Sequence, residues 1–203
     1  MHPIIRKLAF GAAMALCTAW ASAAVLNFDD IVGPDGYAHV PDNYGGLDWS
    51  NSGLSVFTGE QAPFTPHSGN GRVTTDWIDG GPVASTIRFL APTVFNGAWF
   101  SGFSDSNVRF DLYVGNQLVA SSAVLQLSDA PAYLDAGWDG AVDKIVVSSG
   151  FQGSYVMDDL SFQSASPVPE PGPMSMMLAG LGLVGYLRLR RSGRGVGGLR
   201  RAA

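Results

Sequence analysis

The stretch Val108-Arg109-Phe110-Asp111-Leu112-Tyr113-Val114-Gly115-Asn116-Gln117 decides the fold class. Val108, Phe110, Leu112 and Val114 recur at every second position, and a period of two places them on one face of an extended strand. Gly115-Asn116 supplies residues that tolerate a tight hairpin turn, and a second run, Gln117 to Leu127, follows it. Outward from this hairpin, Val142 to Val147 and Tyr155 to Phe162 alternate in the same way. Turn pairs punctuate the chain at Asp35-Gly36, Asn70-Gly71, Asp79-Gly80, Asn96-Gly97 and Asp139-Gly140. Between Ala24 and Ala165 there is no sustained helical period and no internal repeat. The spacing therefore predicts an all-β domain over residues 24–165, an antiparallel β-sandwich of jelly-roll-like kind. Leu47 to Glu60 and Gly97 to Phe103 read as strands feeding its core, with Trp49 and Trp99 as core aromatics, and residues 59–82 as a long loop.

The two ends are unlike this middle. Arg6 and Lys7 precede an apolar run from Leu8 to Trp20, and Ala21 and Ala23 stand at the −3 and −1 positions of a cleavage site before Ala24. Residues 1–23 are thus predicted to be a secretory signal peptide, too short in its apolar part to span a bilayer. The one cysteine, Cys17, lies inside this run. The exported chain would therefore hold no disulfide, catalytic thiol or thiolate metal site.

At the other end, residues 166–173 form a proline-rich spacer that can continue neither strand nor helix. Residues 174–187 are apolar apart from Ser175, and residues 188–203 are rich in arginine. As a helix, the apolar part would rise about 21 Å against a hydrocarbon core of about 30 Å. It reads as a short transmembrane-like helix that halts export temporarily, with the arginines held in the cytoplasm. Gly180-Leu-Gly182-Leu-Val-Gly185 in this segment matches a dinucleotide-binding pattern but has no preceding strand and no βαβ unit, so it reads as membrane-helix packing.

Charge narrows the function further. Residues 24–167 hold 16 Asp and Glu against four basic residues, a net of −12 that the whole-chain value of −5 conceals. Such a surface repels phosphate backbones and argues against nucleic-acid partners.

Val168-Pro169-Glu170-Pro171, the apolar segment and Arg188, Arg190 and Arg191 occur in the order of the PEP-CTERM sorting signal, which this tail resembles. The resemblance implies an exosortase substrate of a Gram-negative bacterium, exported by the secretion machinery and held transiently in the inner membrane. Cleavage near Pro169-Glu170-Pro171 would then deliver it to the outer surface or extracellular matrix. Leu26-Asn-Phe28-Asp29-Asp30, Tyr44 to Ser50, Gly137 to Gly140 and Val156 to Phe162 are similar in pattern to the β-sandwich domains of such proteins. The last of these segments is also similar to the closing strand of carbohydrate-binding jelly rolls, where an Asp ligates structural calcium.

Two kinds of site are open to these residues. Asp158 shares parity with Val156, Leu160 and Phe162, and Asp30 with Leu26 and Phe28. If first and last strands are neighbours, Asp29, Asp30, Asp158 and Asp159 are candidate ligands for one Ca²⁺; the alternative is that they sit at strand ends and accept backbone N–H bonds. For carbohydrate, Trp77 with Asp76 and Asp79, and then Trp138, are candidates, because sugar rings stack on flat apolar faces; packing in the core is the alternative for each. His39 and His67 lack metal-ligand spacing, and there is no nucleophile elbow. The reading is a non-catalytic surface or matrix protein, associated with exopolysaccharide. A calcium-stabilised carbohydrate-binding module and a secreted hydrolase are the alternatives.

Overall fold

The chain is described from a computed structural model, which covers residues 23–75, 83–165 and 181–182. Among the described residues twelve strands follow in order: β1 Ala23–Leu26, β2 Tyr37–His39, β3 Leu47–Asp48, β4 Leu54–Phe57, β5 Arg72–Thr75 and β6 Ala84–Gly102. Then come β7 Asn107–Val114, β8 Gln117–Ser121, β9 Leu125–Gln126, β10 Ala132–Asp135, β11 Ala141–Ser149 and β12 Tyr155–Ser164. All pairings are antiparallel, as the hairpin-rich sequence predicts. β7 and β8 pair across Gly115, which has a φ of 60° at the turn.

The hydrogen-bonded path runs β2-β4-β5-β12-β6-β11-β7-β8, and β6 is its pivot. Its first half pairs with β11 and β3, and its second half with β12 and β10. Gly97 and Gly102, in this second half, stand with φ of 143° and 159°. At both the partner strand comes so near that a Cβ would sit 2.2 Å from a backbone oxygen, so only glycine fits. One strand thus serves both layers of the sandwich. Phe100 from its second half meets Phe110 of β7 across the layers at 5.4 Å between ring centroids, and Phe95 meets Phe110 at 4.7 Å. These rings, with Ile145, Met157 and Leu160, form a core that is closed to solvent.

β1 pairs with β12, with Leu26 opposite Leu160, so the first and last strands are neighbours. Ala24 lies opposite Phe162 in this pair. The strands belong to a compact unit ending at Ser166, and the chain from Pro167 onward forms a second one. The expected signal helix, spacer and arginine tail lie outside the described residues; of the apolar segment only residues 181–182 are described, and they are helical. Among the described residues no helix is long and apolar enough to cross a membrane.

Three expectations change, the first being the turn pair Asn96-Gly97, which lies inside β6. Trp49 is buried, but Trp99 is only half-buried. Its neighbours Ala98 and Phe100 take the core side of β6, which turns Trp99 to the outer face. The segment expected as one long loop, residues 59–82, contains the strand β5 at Arg72–Thr75. Residues 58–71 fold back over the outer face of β5, β12 and β6, where Ser101 donates its hydroxyl to the Thr65 carbonyl at 2.6 Å.

Candidate functional site

Three aspartates fasten this covering loop. Asp29, just after β1, accepts the N–H groups of Asn70 and Gly71 on one oxygen, each at 2.7 Å. Asp158 accepts the N–H of Ser68 at 2.8 Å and that of Asp159 at 2.7 Å. Asp159 accepts from His67 Nδ1 at 2.6 Å and from the Ser68 hydroxyl at 3.0 Å. Loop and sheet approach so closely that side chains are excluded at two points. A Cβ on Gly69 would stand 2.0 Å from an Asp29 oxygen, and one on Gly71 would stand 2.5 Å from the Phe28 carbonyl. Gly69 also holds a φ of 49°, in the left-handed region that glycine occupies at low cost.

Asp158 is 2% exposed, in the middle of the sheet. Burial pushes its carboxyl up to about 6; the Ser68 N–H pulls it down, while the adjacent Asp159 charge adds to the rise. Next to it, Asp159 takes a φ of 47°, at the register shift between β12 and β6. That bulge lets two consecutive aspartates both reach the loop.

A row of aromatic rings borders the fastened loop. Tyr133 on β10 lies directly opposite Trp99 on β6, and their rings meet edge to face at 5.6 Å. The His67 ring lies flat on Trp99, 3.6 Å between centroids and 12° from parallel. Because Asp159 accepts from Nδ1, the imidazole is held parallel to the indole and above it, while its side chain stays 35% open to solvent. Tyr133 is 39% exposed, and its hydroxyl lies 3.3 Å from the Ser161 hydroxyl. The arrangement offers the outer side of the His67 ring and the part-exposed Tyr133 ring, which stand at an angle to one another beside the Ser161 hydroxyl, and aromatic faces next to hydroxyls suit a ligand with both apolar ring faces and hydroxyl groups.

The residues singled out in the sequence fall in several places. Asp29, Asp158 and Asp159 bind one loop. Asp30 is exposed and takes the Tyr44 hydroxyl at 2.6 Å instead. The parity that would have turned Asp30 inward ends with β1 at Leu26, and Phe28 then adopts a φ of 57°. Among the described residues no three His, Cys, Asp or Glu side chains are placed to share a metal ion. Trp138 is 39% exposed beside the exposed Asp139, its ring lying over Gly140, where a Cβ would stand 2.6 Å from the indole nitrogen. Trp77, Asp76 and Asp79 lie outside the described residues, as do Ala21 and the sorting residues Val168, Pro169, Glu170, Pro171, Arg188, Arg190 and Arg191. Ala23 and Ala24 are in β1. Sequence reasoning missed His67, Trp99 and Tyr133 as a group, since they come from a loop and two strands far apart in the chain. The glycines of Ser68-Gly-Asn-Gly71 were the one local signal that backbone approaches closely there.

The strands and their pairings define an antiparallel β-sandwich. Residues 167–192 match the PEP-CTERM protein-sorting motif, so the chain is an exported protein with a C-terminal sorting signal of the exosortase system. Comparison with curated proteins found no match. Among solved structures the domain is similar to a family 29 carbohydrate-binding module, at 13% identity and a TM-score of 0.41, covering 72% of this chain and 90% of that one. A CBM29-2 mutant complexed with mannohexaose is similar at 13% identity and a TM-score of 0.40, covering 72% and 94%.

Proposed function

We propose that the protein is a non-catalytic component of the cell surface or extracellular matrix, sorted through its C-terminal signal and associated with polysaccharide through the Tyr133, Trp99 and His67 face. The observation that carries the glycan reading is the flat stack of His67 on Trp99, held by Asp159 and extended by the exposed Tyr133. Polar residues on the outer face of a sheet suffice for solubility; three aromatic rings packed on one another there do not serve that end. Exosortase is the processing partner, with cleavage near Pro169-Glu170-Pro171. Trp138 is a second aromatic contact point on the loop that follows β10.

Native gels containing exopolysaccharide, cellulose derivatives or mannans test the reading with the full chain. One of these polymers is expected to retard it. Tyr133→Ala, at an exposed position that leaves the core intact, is expected to weaken the interaction about tenfold, the ratio that about 1.4 kcal/mol represents. Equal mobility with and without every polymer, or a Tyr133→Ala chain retarded as strongly as the native one, would contradict the glycan assignment.

A further inference from the structure

Beneath the same loop, Arg72 and Thr74 of β5 point away from the core and are nevertheless buried, at 2% and 3% exposure. Arginine is almost never this buried without an anionic partner. Here the guanidinium donates to two neutral carbonyls, those of Gly59 and Asn70. Among the described residues no carboxylate lies within ion-pair distance of it, the ion pairs being His67 with Asp159 and Arg109 with Asp111. Asp158 is the acidic group nearest in effect, and both its oxygens already accept backbone N–H groups. Arg72 Nε and the Thr74 hydroxyl have no hydrogen-bond partner.

Both residues line one cavity of about 110 Å³, together with Phe57, Phe64, Val156 and Gln61. Gln61, Phe64 and Arg72 also line an adjoining cleft of about 370 Å³, which gives the cavity a route to the surface. Three of the lining side chains are apolar, and the polar ones, Gln61, Thr74 and Arg72, carry a single positive charge and two donors without partners. That combination selects a ligand with one acceptor-bearing anionic end and a short apolar body. A tetrahedral dianion would need more donors than one guanidinium and one hydroxyl, and it would meet a domain of net charge −12. Size sets the other limit, because a cavity of about 150 Å³ accommodates benzene with its six heavy atoms. On that scale about 110 Å³ takes four to five heavy atoms, so a uronic acid exceeds it and a two- or three-carbon monocarboxylate does not.

We infer that the cavity under residues 58–71 is a binding site for a short-chain monocarboxylate, its carboxylate pairing with Arg72 and Thr74 and its alkyl end packing on Phe57, Phe64 and Val156. The site is independent of the aromatic face, and its test does not involve polysaccharide. The measurement is a titration of the detergent-solubilised full chain with acetate and propionate at constant ionic strength. The Val156 methyl resonances are followed by NMR and the melting temperature is recorded alongside. Propionamide, sodium chloride and glucuronate serve as the uncharged, small-anion and oversized controls. The monocarboxylates are expected to shift Val156 saturably and raise the melting temperature, and the three controls are not. Thr74→Val is expected to melt at or above the native temperature without ligand, since it removes a buried hydroxyl that has no partner, and to bind propionate about fivefold more weakly. Arg72→Gln, checked for its fold by the same spectra, is expected to abolish the shift. The inference is overturned if propionate and propionamide act alike, if chloride competes fully, or if Thr74→Val binds with native affinity.

Discussion

Asp158 shows how a single carboxylate can govern the site. Its folded-state acidity lies near 6, above the ordinary range near 4, because it is buried beside Asp159. The folded protein therefore holds a proton that the unfolded chain has released between these two pH values. The contribution of Asp158 is then most favourable below about pH 4 and is lost as the pH rises through about 6. The loss is on the order of 3 kcal/mol. Denaturant melts from pH 4 to pH 7 are expected to show this decline in the native chain and not in Asp158→Asn; parallel profiles would contradict it. The neighbouring aspartates were legible in sequence as a group drawn to one place, but not in their purpose. Parity gave Asp158 its buried side, whereas the left-handed residues Phe28 and Asp159 break the alternation at the points where the loop is fastened. Since Asp29, Asp158 and Asp159 are occupied by protein donors, melting temperatures in millimolar CaCl₂ and in EDTA are expected to agree. A rise with calcium that Asp158→Asn removes would reverse that expectation.

At the scale of elements, the segment 58–71 is what turns an ordinary sheet face into a site. It buries Arg72, Thr74, Val156 and Asp158, and its own His67 ring lies flat on Trp99. Its docking rests on few bonds, so each matters. Asp29→Ala removes the acceptor of two backbone N–H groups and is expected to cost about 2–4 kcal/mol. Gly69→Ala places a methyl where an Asp29 oxygen stands and imposes an unfavourable φ, for a loss of about 1–3 kcal/mol. In hydrogen exchange, both variants are expected to deprotect the amides of residues 67–71 while β7 and β11 remain protected. Uniform loss across all strands would mean that the loop and the sandwich unfold as one unit. The β7–β8 hairpin and the strands β11 and β12 were readable because alternation and turn chemistry are local. The bend of β6 was not, since its 19 residues form two halves whose partners, β11 and β12, lie more than 40 residues downstream.

For the whole molecule, the two layers cohere through Phe110, which is fully buried between Phe95 and Phe100. Phe110→Ala is expected to cost about 3–5 kcal/mol in equilibrium unfolding. A loss below 1 kcal/mol would mean that the layers are not packed as described. The pairing of β1 with β12 brings Ala24 opposite Phe162, so the two ends of the described domain lie on adjacent strands. Export and sorting were the most legible part of the chain, because they are encoded in short contiguous segments; the ligand-facing surface was the least, because it is assembled from distant ones. The account rests on the sorting signal, and cell fractionation tests it most directly. The native chain is expected in the outer-surface or matrix fraction, shortened at its C-terminus, and a chain in which Pro169, Glu170 and Pro171 are all alanine is expected to remain full length in the inner membrane. The same location and length for both chains would contradict the account.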